Sequence, residues 1–155
     1  MSSDVALPPG WTRHRASRPE LFMTVAALYA GRSSCLRANV GAVAIREGRI
    51  VATGYVGAPS GMPHCLDVGC EIGPDGGCIR SVHAEANLVA WSARTGTPLQ
   101  DTTIYCTHAP CYACAKLLGN AGIVGFVYEF DYRDMKGIRL LRDLDVEVDR
   151  FEPTS

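Results

Sequence analysis

His83-Ala84-Glu85 and Pro110-Cys111-Tyr112-Ala113-Cys114 constrain this chain more than any other stretch. Its fold must bring both to one point, although a strand-like run, Thr103-Ile104-Tyr105-Cys106-Thr107, lies between them. The residue types give the reason. One imidazole and two thiolates, from His83, Cys111 and Cys114, make up the three protein ligands of a hydrolytic zinc site, which keeps its fourth position open. Glu85 stands two residues beyond the first ligand, near enough to exchange a proton at that open position without being a ligand itself. Either half alone is a weak signal, since a C-x-x-C is also a redox dithiol or half of a structural clip, and single histidines are usually packed residues. Apolar helical patterns follow both halves, so together they predict two helix N-termini converging on one metal.

Periodicity places the remaining elements around that point. The first of these helices begins at Ser81 or Val82 and runs through Leu88, Val89 and Trp91 to a stop at Gly96 and Pro98. The second covers residues 111–121 and ends at Gly122, which puts both thiolates in its first turn, where the helix dipole lowers thiol pKa values. Upstream, Leu21, Val25, Leu28 and Tyr29 recur at helical spacing from Pro19 until Gly31. Residues 40–45 and 50–55 flank Arg46-Glu47-Gly48-Arg49 and read as a hairpin. Downstream, 123–130 reads as a strand, 135–144 as a helix with Ile138, Leu141 and Leu144 on one face, and 146–148 as a last strand. Strands alternating with helices after an opening hairpin predict an α/β domain, a mixed five-strand sheet with helices on both faces and its later strands parallel. Residues 1–18 carry Pro8-Pro9-Gly10 and no apolar period, so they read as a flexible N-terminal arm, leaving 19–155 as one domain.

Composition decides which partners suit such a domain. The chain has 155 residues, 47% of them hydrophobic, enough for a single core. A net charge of -1 provides no strongly basic face to follow a phosphate backbone, which argues for a small nucleotide over a nucleic acid. No stretch approaches the roughly 18 apolar residues of a membrane span, and no basic-then-apolar leader opens the chain, so a cytoplasmic protein without a membrane partner is expected. Seven cysteines, an odd count, alongside H-x-E and C-x-x-C, point to thiolate ligands in a reducing compartment rather than to disulfides.

The other cysteines concentrate in an inserted loop. Residues 57–79 are rich in Gly, Pro and polar side chains, too long for an ordinary connection, and include His64, Cys65, Cys70 and Cys78. Cys35, Cys70, Cys78 and one of His64 or Cys65 make a closed set of four ligands, the pattern of a second, structural zinc. Cys106 falls in a strand and reads as a small buried residue.

H-x-E with P-C-x-x-C is also the signature of zinc nucleobase deaminases. Over nearly all of residues 19–148 the chain resembles the deoxycytidylate (dCMP) deaminases of the cytidine deaminase superfamily. The segments that carry the resemblance are Ser33-Ser34-Cys35-Leu36-Arg37 before Val40-Gly41-Ala42-Val43, Gly54-Tyr55-Val56-Gly57-Ala58-Pro59-Ser60-Gly61, His83-Ala84-Glu85-Ala86-Asn87, and Thr107-His108-Ala109-Pro110-Cys111 with Cys114-Ala115-Lys116. The resemblance implies a three-layer α/β/α cytidine-deaminase-like sandwich with strand order 2-1-3-4-5. It also implies a dimer or hexamer, deoxycytidine and thymidine triphosphates as activator and inhibitor, and a second zinc, as in several microbial members.

The activity so implied is zinc-dependent hydrolysis of dCMP to dUMP and ammonia. Glu85 would pass a water proton to N3 of the cytosine and then protonate the departing amine. By the same resemblance the Ala84 N–H holds the base O2, the Ala109 carbonyl holds the exocyclic amine, and Tyr132 closes over the nucleotide. Arg37 with Ser33 suits the 5′-phosphate, because Arg makes paired bonds to phosphate; Arg80, Arg133 and Lys136, also near loop ends, compete for that role. Two positions depart from the family pattern. Ala109 stands where a serine is usual, and Val56 stands where an asparagine resembles the sugar-binding Asn of related deaminases. Val56 opens the alternative of a modified cytidylate, a nucleoside or another aminated heterocycle. A deaminase of bases within RNA or DNA would need a basic or aromatic path for the strand, and a non-catalytic zinc module would not need Glu85.

Overall fold

The computed structural model describes residues 5–9, 11 and 15–154. The expected arm, 1–18, lies partly outside these; within it the Trp11 N–H bonds the Pro8 carbonyl at 3.0 Å. The first helix, α1 (Arg18–Ala30), opens with a capping box in which the Ser17 N–H donates to Glu20 Oε2 at 2.7 Å and the Glu20 N–H to Ser17 Oγ at 3.3 Å. Such reciprocal caps satisfy two helix-end donors and are worth about 1 kcal/mol.

The buried stripe of α1 is Phe22, Met23, Ala26 and Ala30; of the expected Leu21, Val25, Leu28 and Tyr29, Val25 and Tyr29 pack partly buried beside it, and the two leucines do not. Leu21 and Leu28 are 42% and 68% exposed. The helix lies so close to the sheet that a Cβ on Gly41 would strike the Ala26 carbonyl and come within 2.5 Å of the Ala30 nitrogen. Only alanines fit that seam, so the leucines turn outward.

The hairpin forms as β1 (Gly41–Arg46) and β2 (Arg49–Tyr55), joined by Glu47 and Gly48 at φ 52° and 74°. Two left-handed residues in succession match the right-handed twist of the flanking strands. Against the other edge of β1 runs β3 (Thr103–His108), antiparallel; β4 (Gly125–Phe130) and β5 (Glu147–Arg150) follow in parallel. The sheet order is β2-β1-β3-β4-β5, as the family resemblance implies. Four further helices complete the chain: α2 (Cys65–Val68), α3 (Ala84–Thr95), α4 (Tyr112–Asn120) and α5 (Lys136–Asp143).

Strand alternation divides the core. On one face Phe22, Met23 and Ala26 of α1 pack on Val43, Ile45 and Tyr105. On the other, Leu88, Leu118, Ile138 and Leu141 of α3, α4 and α5 pack on Ala42, Ala44, Ile104, Cys106 and Phe126. The result is the three-layer sandwich. Among the described residues no helix is long and apolar enough to cross a membrane.

Three element boundaries shift, each for a hydrogen-bonding reason. Val82 exchanges backbone bonds with Gly57 at 2.8 and 3.3 Å, so it is extended, and α3 starts at Ala84 rather than at Ser81 or Val82. The Ile123 N–H still answers to Leu118 at the end of α4, and β4 begins at Gly125. The Val146 N–H bonds the Leu141 carbonyl at 3.0 Å, which delays β5 to Glu147.

Candidate functional site

His83 and Cys111 are the N-cap residues of α3 and α4, and Cys114 is the third residue of α4. Cys111 therefore sits just ahead of the first turn rather than within it, with its Sγ accepting the Cys114 N–H at 3.4 Å. Two devices fix the start of α3 against β2, and a third seats the start of α4 on α5. Asn87 Nδ2–H donates to the Tyr55 carbonyl at 2.7 Å, tying α3 to the end of β2. Gly54, without a side chain, leaves room for the Ala84 carbonyl and for the Leu88 nitrogen, 2.9 Å from where its Cβ would be. Gly137 does the same on the far side, where a Cβ would strike the Pro110 carbonyl and meet the Cys111 carbonyl oxygen at 3.0 Å.

The three ligand atoms converge as the spacing predicts. His83 Nδ1 lies 3.5 Å from Cys111 Sγ and 3.6 Å from Cys114 Sγ. Zinc bonds of about 2.0–2.1 Å to nitrogen and 2.3 Å to sulfur give a tetrahedral N–S edge of about 3.6 Å, so the donor set fits the ion. The Cys114 thiol, hydrogen-bonded to Cys111, holds the Cys111 sulfur down to about 4 and is itself pushed up. Against that thiolate the His83 imidazole is raised.

Glu85, in the first turn of α3, is only 4% exposed. Burial pushes its carboxyl up to about 7, against the lowering effect of its own backbone N–H and of His83. A carboxyl poised near neutrality can both take and give a proton, the property a proton shuttle needs. It lines a cavity of about 240 Å³ together with His83, Cys111, Val56, Ala109 and Tyr132, with Arg37 at the exposed rim.

Two of the predicted substrate-binding residues, Ser33 and Ala84, do not line this cavity. Ser33 Oγ accepts the Val40 N–H at 3.1 Å and bonds the Val40 carbonyl at 3.3 Å, pinning the segment before β1. Ala84 is fully buried as the first residue of α3, where its N–H has no intrahelical acceptor. Among the competing cations, Arg80 bonds the Gly69 carbonyl and pairs with Glu71, and Arg133 pairs with Asp75 at 3.9 Å; among the described residues Arg37 makes no ion pair.

Among the lining residues given no role from sequence, His108 is the one with a titratable ring. It ends β3 on the same strand face as Ile104 and Cys106, with its ring 5.2 Å from Phe130. Thr107 Oγ1, already accepting the Gly41 N–H, lies 3.0 Å from His108 Nδ1. Its position just before Ala109-Pro110-Cys111, at period 2 from Cys106, was the available signal.

The second group of sulfurs is Cys35, Cys65, Cys70 and Cys78, all mutually within 4.8 Å. Of the two alternatives left open, Cys65 belongs to it; His64 turns away, its Nδ1 2.8 Å from Ser34 Oγ. Cys35 and Cys70 sulfurs stand 3.8 Å apart, Cys65 and Cys78 sulfurs 3.6 Å. A zinc tetrathiolate has edges of about 3.8 Å, whereas a disulfide bond is about 2.05 Å. Burial raises the Cys78 thiol, but N–H groups of Ser81 and Arg80 and the Cys65 thiol outweigh it and bring it down to about 6.

Comparison with known proteins agrees with this geometry. Residues 16–130 match the model of the cytidine and deoxycytidylate deaminase zinc-binding region. The chain is 40% identical over 119 residues to ComE operon protein 2 of Bacillus subtilis, covering 77% of this chain and 62% of that one. To the deoxycytidylate deaminase of Saccharomyces cerevisiae it is 35% identical over 147 residues, 90% of this chain and 46% of the yeast protein. It thus spans only about half the length of these relatives. The crystal structure of the cyanophage S-TIM5 dCMP deaminase in complex with dCMP and dUMP superposes with a TM-score of 0.77 at 35% identity, over 85% of this chain and 95% of that one. With its His83, Cys111 and Cys114 trio at two helix ends, its sheet order and a match that runs from Ala16 to Phe130, the chain belongs to the cytidine and deoxycytidylate deaminase family.

Proposed function

We propose that this chain hydrolyses the exocyclic amine of a pyrimidine deoxynucleotide, taking dCMP and water to dUMP and ammonia. The observation that carries this reading is the buried Glu85 carboxyl, held near 7, in one cavity with His83 and Cys111. His83, Cys111 and Cys114 would hold a zinc ion, which would supply Lewis acidity toward a water. Glu85 takes one proton from the attacking water and gives it to N3, so that C4 becomes electrophilic and the water oxygen bonds to it. The same carboxyl then takes the remaining hydroxyl proton and passes it to the amine, so that the C4–N bond breaks, ammonia leaves and the C4 oxygen becomes a carbonyl. The Ala84 N–H, at the start of α3, offers the base O2 a donor; the Ala109 carbonyl receives the amine; Tyr132 covers the nucleotide. Arg37, with no ion pair among the described residues, receives the phosphate. Ser33, engaged with Val40, drops out of that role. Cys35, Cys65, Cys70 and Cys78 hold a second, structural zinc. A cytoplasmic homo-oligomer, dimer or hexamer, with triphosphate effectors, accompanies this reading through the family resemblance alone.

Val56 supports a second reading. It is 5% exposed, lines the cavity and has no side-chain donor or acceptor for a sugar hydroxyl. An unpaired buried hydroxyl costs about 1–3 kcal/mol, which shifts preference toward a modified cytidylate, a nucleoside or another aminated heterocycle. One experiment tests both readings: ammonia release by zinc-loaded wild type and Val56→Asn across dCMP, CMP, 5-substituted cytidylates and nucleosides. The first expects turnover of dCMP above the others; no turnover of any substrate would reject it. A wild type that prefers dCMP and gains nothing from the asparagine would reject the second.

A further inference from the structure

The four-thiol cluster and the substrate cavity share a wall. Cys35 and Cys78 belong to both, and beside them on the cavity surface lie Arg37, Ala38 and Ser81. Arg37 and Ala38 lie two and three residues beyond Cys35 in the chain, and against burial, which raises both thiols, their backbone N–H groups, with those of Ser81 and Arg80 beside Cys78, lower Cys35 and Cys78. The Ser81 hydroxyl lies 3.4 Å from Cys65 Sγ and 3.8 Å from Cys78 Sγ.

The segment between α1 and β1 belongs to neither a helix nor a strand. Ser33 pins its two ends by bonding Val40, and its middle carries Cys35, whose sulfur stands 3.8 Å from that of Cys70 within the cluster. A metal's ligands and the groups packed around them orient one another. Arg37 is two residues from one of those sulfurs. Its guanidinium stands at the rim, without an ion pair among the described residues to hold it in place. Its position is therefore inherited from the cluster.

We infer that the four-thiol cluster is a positioning device for the anionic end of the substrate: a metal bound there holds Arg37 at the cavity rim, and its loss weakens binding of the phosphate while leaving the chemistry at Glu85 in place. This rests on the deaminase reading and on zinc at the second site. A plain structural staple would instead affect nucleotides and nucleosides alike.

The test is Cys70→Ser, which removes one cluster ligand without touching the cavity lining. Metal content is expected to fall from two zinc ions per chain to one. Affinity for dUMP, measured by calorimetry, should drop about 10- to 100-fold, the range of a lost hydrogen bond to a charged group, with deoxyuridine affinity unchanged. The KM for dCMP should rise in parallel, with kcat within a few-fold of wild type. Arg37→Ala should weaken dUMP binding in the wild type and add little in the Cys70→Ser background, since both remove one interaction. Should that variant not fold, wild-type protein carrying one and two zinc ions replaces it, with dUMP and deoxyuridine affinities compared between the two loadings. Equal losses for dUMP and deoxyuridine, additive Arg37 and Cys70 effects, or a fully active wild type holding one metal would each overturn the inference. Binding of dUMP is read without turnover, so a protein that deaminates nothing yet shows this dependence would sink the deaminase reading and leave the coupling standing.

Discussion

The two sulfur centres are built on opposite plans. The His83, Cys111 and Cys114 centre borrows its geometry from regular structure: the start of α3, set against β2 by Gly54 and Asn87, and the start of α4, packed on α5 at Gly137, bring an imidazole within 3.6 Å of two sulfurs. The Cys35, Cys65, Cys70 and Cys78 centre has almost no regular structure to borrow. Its four cysteines come from the segment before β1, a helix of 4 residues and irregular loop. Three donors at rigid ends leave a coordination position for chemistry, and four donors in a loop close every position. A preformed site tolerates loss of its metal, whereas a site made of loop is folded by it.

The strongest challenge to that contrast is Glu85→Gln, which removes the proposed proton carrier and none of the sulfur or imidazole groups. Its kcat should fall by about 10²–10⁴ with metal content unchanged at both centres; a variant with wild-type rate would move the proton chemistry elsewhere. Next comes the comparison of Cys111→Ser with Cys65→Ser. Loss of Cys111 should abolish turnover yet leave residues 57–79 resistant to proteolysis, while loss of Cys65 should expose that loop to cleavage more than about 10-fold faster, since local opening scales with the stability lost. If both variants expose the loop equally, the two centres are not independent in folding. The smallest effect belongs to Gly54→Ala, whose methyl must displace the start of α3. A cost of about 1–3 kcal/mol is expected, read as a lower Tm, with weaker zinc retention by the trio and no change at the four-thiol centre.

Much of the trio was legible because the imidazole of H-x-E and the two thiols of P-C-x-x-C stand out in the chain by type and spacing, although only the fold brings the two halves together. The sheet's later parallel strands followed from alternation, and its order from resemblance. What escaped depends on partners distant in sequence. Nothing near His64 or Cys65 says which of them meets Cys35; the answer lies in Ser34, whose hydroxyl takes the histidine. Apolar period alone does not separate Leu21 and Leu28, which face outward, from Val25 and Tyr29, which pack on the core, because the seam at Gly41 admits only Ala26 and Ala30. The Ser17–Glu20 capping box is readable from its S-x-x-E spacing. That Cys35 and Cys78 face the same cavity as Glu85 has no signature in one dimension at all.

Gly137 carries a last consequence. It bonds no metal and moves no proton, yet it sets how closely α5 lies on the Pro110 and Cys111 carbonyls. The trio works to a mechanical tolerance, because ligand edges of 3.5 and 3.6 Å have little slack before a tetrahedron opens. A single methyl at Gly137 would use up that slack with every ligand still present. Drift in this domain is thus bounded by clearances as well as by functional groups, and a copy that kept His83, Glu85, Cys111 and Cys114 but widened that gap would retain the motif while losing its fit to the ion.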